Sequence, residues 1–211
     1  MNRLMLTTSI SLLVLAALFA VTCTGKVTTG KLSSRTPSEV PFSSASPAGN
    51  LPLRNLRDVP LGGGASRFDY QSFDPNTGRL YIAHLGANLM TVFDTNKEAV
   101  IGDVKDLSRV HGVLSVPELH RVYASATGTN ELAVIDDGTL QIVARVPAGD
   151  YPDGVAYAIK ANKIYVSDLH GKTDTVIDAR TNEHVTTTIA LGGGAGNTQY
   201  DAVSDHIFVA G

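Results

Sequence analysis

The sequence predicts an all-β chain, a β-propeller built of four-stranded antiparallel blades, and three observations lead to this prediction. Similar stretches recur every 42 residues, so that Tyr81, Tyr123 and Tyr165 occupy equivalent positions. Each repeat holds four short runs rich in β-branched and aromatic residues, separated by turns containing Gly, Asn or Asp. No run with a helical period lies between them. Four strands in a repeat of this length are typical of a propeller blade.

Residues 1–23 are predicted to form a secretory signal peptide. Arg3 supplies the positive charge of its first part, and residues 10–21 form an apolar run of secretory length. An uncleaved membrane anchor is the alternative, but the apolar run is short for a membrane span. We therefore expect an exported protein, located in the periplasm or at the cell surface.

Cys23 is the only cysteine, so the chain cannot form an intramolecular disulfide. It is also a candidate for lipidation, although the preceding residues 20–22 (Ala-Val-Thr) resemble a lipobox poorly. We expect contact with a membrane only through a signal anchor or through a lipid on Cys23. Residues 24–52 are rich in Ser, Thr, Pro and Gly and are predicted to be a flexible linker.

The repeat region occupies residues 53–211. Its predicted parts are an N-terminal outer strand over 53–62, blade units at about 66–107, 108–149 and 150–192, and an incomplete unit over 193–211. About three and a half blades are thus present of an expected seven, since seven repeats would need about 294 residues. We interpret the sequence as a fragment of a larger ring. A second copy that completes the ring is the alternative.

The repeats are similar to a known bacterial propeller repeat. The stretches "RLYIAHLGANLMTVFD", "RVYASATGTNELAVID" and "KIYVSDLHGKTDTVID" resemble the YVTN-type repeat, whose signature stands here as Tyr-Val-Ser-Asp at 165–168. The following Val-Ile-Asp is kept at 134–136 and at 176–178. The resemblance covers residues 53–211. It implies the fold and says little about activity, because such propellers serve many functions.

Charge and motifs exclude several classes of function. Seventeen Lys and Arg face twenty Asp and Glu without a basic stripe, so we expect no nucleic-acid partner. The sequence has no G-x-S-x-G, H-E-x-x-H or C-x-x-C motif. Its two "LGGGA" stretches do not fit a nucleotide-binding loop. The sequence identifies no cofactor. The polar loops contain side chains that can bind a divalent cation.

Strand order places the candidate site. We call the loop before the first strand of a blade its inner loop, and the loop between its second and third strands its middle loop. In an up-and-down blade both lie at the same end. The ligand-binding candidates are Arg67, Asp69, Arg109, His111, Asp153 and Asn197 in the inner loops, and His84 and Asp168 in the middle loops.

Asp69, His111 and Asp153 occupy equivalent repeat positions. Such a ring of carboxylates and imidazole can hold a divalent cation or act as acid and base. The alternative is that they bond loop backbone and channel water. His84 and His170 are interpreted as surface loop histidines rather than as metal ligands. Three further acids are predicted to cap turns at the opposite face: Asp94, Asp136 and Asp178.

The favoured function is an exported binding or scaffolding module of the cell envelope. Its channel mouth would engage a small ligand, an envelope polymer or a protein partner. The alternative is a metal-dependent lactonase or lyase of the kind found on related propellers, with Asp69, His111 and Asp153 among its ligands. A propeller subunit of a redox enzyme is a third possibility, which no cluster of histidines supports.

Overall fold

The computed structural model describes residues 55–184 and 188–211, with only the backbone at residues 183 and 184. Contacts divide the chain into two units, Met1–Leu53 and Arg54–Gly211, and the fold described below belongs to the second. The predicted signal peptide, Cys23 and the linker lie outside the described residues. No helix in the described ranges is long and apolar enough to cross a membrane.

Antiparallel sheets dominate the described residues. The first contains β1 (Gln71–Asp74), β2 (Arg79–His84), β3 (Leu89–Asp94) and β4 (Ala99–Val104). The second contains β5 (Val110–Val116), β6 (Arg121–Ala126), β7 (Glu131–Asp136) and β8 (Ile142–Pro147). The third contains β9 (Pro152–Ala158), β10 (Lys163–Asp168), β11 (Thr173–Asp178) and, as two short outer pieces, β12 (Glu183–His184) and β13 (Ile189–Ala190). The last contains β14 (Asn197–Asp201) and β15 (His206–Ala210).

The sheets are arranged as blades around a central channel. Within each sheet the strands follow chain order, and the first strands β1, β5, β9 and β14 lie next to one another along the chain. A cavity of about 380 Å³ lies between these first strands, and we call it the channel. The predicted all-β fold of four-stranded antiparallel blades is therefore confirmed. Short 3₁₀ helices, which were not predicted, occupy two of the middle loops at Leu85–Ala87 and Thr127–Thr129 and one turn at Pro117–Leu119.

The hydrophobic core lies between the blades. Tyr81, Met90 and Val92 of the first blade pack with Val110 and Val122 of the second, and all five are fully buried. Equivalent residues of the second blade, including Tyr123, Leu132 and Val134, pack against the third. Each large apolar side chain that is fully buried contributes about 1.5–3 kcal/mol. The repeated residues of the sequence are thus the residues that join one blade to the next.

Within the described residues 55–62, the outer strand predicted over 53–62 does not form. A strand needs hydrogen bonds to the edge of a sheet, and the last described sheet contains only β14 and β15, without the third strand that an outer strand would pair with. The segment lies instead beside the first blade, where Arg57 forms an ion pair with Glu98 at 3.3 Å.

Asp94, Asp136 and Asp178 cap the turns between third and fourth strands, as predicted. The Oδ1 atom of Asp136 accepts hydrogen bonds from the backbone N–H groups of Gly138 at 3.2 Å and Thr139 at 2.9 Å. Asp94 and Asp178 accept the equivalent pairs. These donors, led by Thr139 for Asp136, hold the pKa of each carboxyl below its usual value.

We expect Asp136→Ala to lower the melting temperature at neutral pH, because two backbone donors lose their acceptor. Asp136→Asn keeps an acceptor oxygen and should have a smaller effect. Since the folded-state pKa is depressed, the charged form stabilises the fold above the unfolded pKa, and this contribution is lost as pH falls through the folded pKa. Thermal melts at about pH 7 and about pH 2 test this. An Asp136→Ala deficit that stays the same at both values would contradict the charge argument.

Candidate ligand-binding site at the channel mouth

Backbone hydrogen bonds join the inner and middle loops at one end of each blade. In all three complete blades a glycine N–H of the middle loop donates to a carbonyl of the inner loop. The pairs are Gly86 to Arg67 at 2.9 Å, Gly128 to Ser108 at 2.9 Å and Gly171 to Asp150 at 3.0 Å. Both sets of loops therefore form the same face, which we call the channel mouth.

Each of two inner loops is also held by the blade that precedes it. The Asn88 side-chain oxygen accepts the backbone N–H of Arg109 at 2.7 Å, and Asn130 accepts that of Tyr151 at 3.1 Å. Arg109 and Tyr151 have left-handed backbones, with φ of 48° and 62°. Such conformations cost of order 1 kcal/mol or more in a residue with a side chain. These hydrogen bonds fix the direction of both side chains.

The first blade contributes an ion pair. Arg67 Nη2 lies 2.7 Å from Asp69 Oδ2. The arginine side chain is largely exposed, whereas that of Asp69 is 16% exposed. The same Asp69 oxygen lies 4.0 Å from His111 Nε2 of the second blade. The acid therefore stands between a guanidinium and an imidazole.

His111 is 2% exposed, and its hydrogen bonds define its tautomer. Its Nδ1 lies 2.8 Å from the carbonyl oxygen of Arg109 and 2.8 Å from Thr127 Oγ1. A carbonyl oxygen can only accept, so Nδ1 carries the hydrogen. Nε2 then keeps a lone pair, which accepts the Tyr151 hydroxyl at 3.2 Å. Burial lowers the pKa of His111, which favours this neutral form.

Tyr151 connects His111 with the rim of the mouth. Arg109 Nη2 lies 3.4 Å from the Tyr151 hydroxyl oxygen, and the Arg109 guanidinium carbon lies 5.5 Å from the centre of the tyrosine ring. The ring of His170 contacts the same tyrosine, with 4.3 Å between ring centres. The half-buried Tyr151 ring thus contacts both a cation and a second ring.

Asp153 and Tyr70 lie at the inner edge of the mouth. Burial, followed by the charge of Asp69, raises the pKa of Asp153 to about 6, and the charge of Arg67 opposes this rise. Within the described part of the chain, no group donates a hydrogen bond to the Asp153 carboxylate. Tyr70 donates to the carbonyl oxygen of Gly196 at 3.1 Å, and burial, followed by Asp153 and Asp69, raises its pKa to about 12. Tyr70 therefore remains a hydrogen-bond donor.

Five predicted site residues come together at the mouth: Arg67, Asp69, Arg109, His111 and Asp153. Asn197 is the first residue of β14 and borders both the channel and its mouth. Its repeat position is one residue later than that of Asp153, because Gly196 occupies the equivalent place: Ser167 contacts the Gly196 carbonyl as Ser125 contacts that of Asp153.

His84 lies beneath the loops and does not line the mouth. It is fully buried, its Nε2 lies 2.8 Å from Ser66 Oγ, and its ring stacks on Phe68 at 4.0 Å. The interpretation of His84 as a surface histidine was wrong, because the last residue of β2 turns its side chain under the inner loop. His170, by contrast, is exposed as predicted.

Asp168 is also an internal support. It is fully buried, and its carboxylate accepts the backbone N–H of Gly149 at 2.9 Å and the hydroxyls of Thr173 at 3.0 Å and Thr175 at 2.8 Å. These bonds attach the middle loop of the third blade to its inner loop. Asp168 positions the loop that carries Tyr151 and is not itself available to a ligand.

Several residues that shape the mouth are not among the predicted ligand-binding candidates: Tyr70, Asn88, Thr127, Asn130 and Tyr151. One signal was available for Tyr151, because it occupies the repeat position of Arg67 and Arg109. Asn88 and Asn130 are also repeat equivalents. Their partners are backbone groups of the following blade, which no local pattern indicates.

The residues present do not fit a three-ligand metal centre. The Nε2 lone pair of His111 and the carboxylate of Asp69 could act as a pair, at 4.0 Å from each other. However, the described residues bring no three or more His, Cys, Asp or Glu side chains into an arrangement that could hold a metal ion. The side chains of Asp69, His111 and Asp153 are therefore not arranged to bind one metal ion together.

Comparison with known proteins agrees with the fold. No protein family and no curated protein matches the sequence. Among solved structures, the chain is similar to hydrazine synthase from Kuenenia stuttgartiensis, with a TM-score of 0.62 and 18% identity over 66% of this chain and 40% of that chain. It is also similar to the dihydro-heme d1 dehydrogenase NirN in complex with DHE, with a TM-score of 0.54 and 20% identity over 65% of this chain and 30% of that one.

Both of these structures contain β-propellers, so the described residues form part of a β-propeller. The chain spans less than half the length of either protein. At such low identity the likeness concerns the fold alone, and no residue role transfers from either structure.

Proposed function

We propose that the chain belongs to an exported, YVTN-like β-propeller binding module of the cell envelope, with its ligand at the channel mouth. The main support is the way in which the mouth is built. Inner loops of successive blades bring charged and aromatic side chains together, and Asn88 and Asn130 hold two of those loops in left-handed conformations. Loops that are held in fixed conformations present their side chains to a ligand in set positions. The apolar run at residues 10–21 supports export.

The chemistry of the mouth favours binding over metal-dependent catalysis. The lone pair of His111 Nε2 is engaged by Tyr151, and Asp69 is engaged by Arg67. The donor set does not fit a metal centre, so the lactonase-like or lyase-like alternative gains no support from the geometry. Fixed polar groups around an aromatic ring are the usual means of orienting a ligand.

A fragment screen followed by NMR tests the binding proposal. We expect fragments that bind the exported chain to shift the backbone resonances of the inner loops, above all those of Arg109 and Tyr151. Tyr151→Ala should weaken such binding about 10-fold, since it removes the central ring of the site. Asp137→Asn, in a turn of the opposite face, is the control. Fragments that bind only elsewhere would contradict the proposal.

Export is tested independently of binding. Expression in a bacterial host should give a mature protein in the periplasm or at the surface, with its new N-terminus near Cys23. Mass spectrometry distinguishes a lipid on Cys23 from simple cleavage, and Cys23→Ser is the matched control. A chain that stays in the cytoplasm at full mass would contradict export.

A further inference from the structure

We infer that the ligand of the channel mouth is an acidic polysaccharide, and that Arg109 binds the carboxylate of one of its sugar units. This inference rests on the proposed binding function and specifies its ligand class. It follows from three features of the mouth: a cation without an acidic partner, an adjacent aromatic ring, and a nearby carboxylate that accepts no hydrogen bond from the described residues.

Arg109 is the cation. It is exposed and forms no ion pair within the described residues, whereas its repeat equivalent Arg67 is paired with Asp69 at 2.7 Å. Its left-handed backbone is held by Asn88, so its side chain leaves the loop in a set direction. A guanidinium offers parallel N–H groups that match the two oxygens of a carboxylate. A carboxylate of the ligand is the partner that this group lacks.

Tyr151 provides the neighbouring surface. Its ring lies 5.5 Å from the Arg109 guanidinium carbon and 4.3 Å from the centre of the His170 ring. The negative face of an aromatic ring attracts the weakly positive C–H groups on the flat face of a sugar. The carboxylate and the ring of one acidic sugar unit can therefore bind side by side, on Arg109 and Tyr151.

An acceptor for a sugar hydroxyl lies near these groups. The Asp153 carboxylate receives no hydrogen bond from the described residues, whereas the Asn197 side-chain oxygen already accepts one from Gln199 Nε2 at 3.3 Å. The negative charge of Asp153 would repel an acidic ligand. The positive charge of Arg67, which forms an ion pair with Asp69, partly offsets this repulsion. The mouth is also open toward solvent, as an extended polymer requires. A neutral sugar would leave Arg109 without a partner.

The test compares two forms of one polymer. Polygalacturonate carries a carboxylate on each sugar, and its fully methyl-esterified form is a neutral control of the same backbone. We expect the acidic form to bind the exported chain and the ester to bind at least 10-fold more weakly. Arg109→Gln should weaken binding of the acidic form about 10-fold. Arg180→Gln, which removes an exposed arginine from a turn of the opposite face, should leave it unchanged.

Asp153→Asn gives a test with the opposite sign. The asparagine keeps an acceptor oxygen for a sugar hydroxyl and removes the negative charge, so it should tighten binding of an acidic polymer and would weaken binding of a cationic ligand. Melting temperatures of all variants exclude unfolding as the cause of a change. Weaker binding by Asp153→Asn, or equal losses in Arg109→Gln and Arg180→Gln, would overturn the inference.

The inference and the proposed function can fail separately. If both polymers bind equally and Tyr151→Ala weakens the binding of both, the mouth binds a ligand but does not distinguish an acidic polymer from a neutral one. If neither polymer binds while fragments still shift the inner loops, only the ligand class is wrong. If neither polymers nor fragments bind at the mouth, both proposals fail.

Discussion

Replacement of Gly112 by alanine is expected to destabilise the protein by about 3 kcal/mol, at the upper end of the cost of overpacking a close contact. A Cβ on Gly112 would lie 2.1 Å from the carbonyl oxygen of Asp153 in the next blade. The obstacle is backbone, so no side-chain rotation can relieve it. The first strands β5 and β9 would have to separate.

A serine explains why these strands approach so closely. Ser125 Oγ accepts the Gly112 N–H at 2.6 Å and donates to the Asp153 carbonyl at 2.7 Å. In the next blade the N–H of Gly154 likewise donates to Ser167 Oγ at 2.9 Å. A glycine on the first strand and a serine on the second thus fasten the second blade to the third and the third blade to the fourth. Asp153 is the second residue of β9 and directly follows the inner loop, so this contact also supports the mouth.

Denaturant unfolding of Gly112→Ala and Gly138→Ala measures the effect. Gly138 lies in an open turn, where a Cβ would meet only the side-chain oxygen of Asp136 at 3.4 Å. This control should change the free energy of unfolding by less than about 0.5 kcal/mol. Similar losses in both variants would show that glycine content, and not the contact with Asp153, determines stability.

Asp174→Leu is expected to stabilise the protein at pH 7 by about 3 kcal/mol. Asp174 is 1% exposed, and its Oδ1 has no hydrogen-bond partner among the described residues. The equivalent positions in the other blades hold Met90 and Leu132, both fully buried in the core. Burial, with a further contribution from the charge of Asp168, raises the pKa of Asp174 to about 6. A rise of about two units corresponds to about 3 kcal/mol.

The same pKa predicts how stability depends on pH. A carboxyl whose pKa is raised on folding binds a proton more tightly in the folded state, so stability falls as pH increases from about 4 to about 6. Asp174→Leu should remove much of this decline, and Asp153, whose pKa is also about 6, should account for a remainder. Asp174→Asn separates loss of charge from gain of apolar contact. A leucine variant less stable than wild type at pH 7 would contradict the argument.

Much of the fold could be predicted because its determinants are local and periodic. Alternation along each strand and Asp-containing turns recur at a spacing of 42 residues, and Tyr81 and Tyr123 lie in the core as that repetition requires. Strand order alone placed the inner and middle loops on one face, and the glycine-to-carbonyl bonds between them agree. The sequence therefore determined the blades and the face that carries the polar loops.

Only the tertiary structure decided what each polar residue does on that face. His84 and Asp168 each stand directly before a middle loop that contains exposed residues. Both are nevertheless buried, because they form hydrogen bonds to loops that fold over them. The predicted outer strand would pair with the third strand of the last blade, and the described residues contain only two strands of that blade. The burial of His84 and Asp168 depends on an inner loop that folds over the strand and that lies 18 to 19 residues away in sequence. The sequence pattern of one strand shows which of its side chains share a face. It does not show which other part of the chain packs against that face.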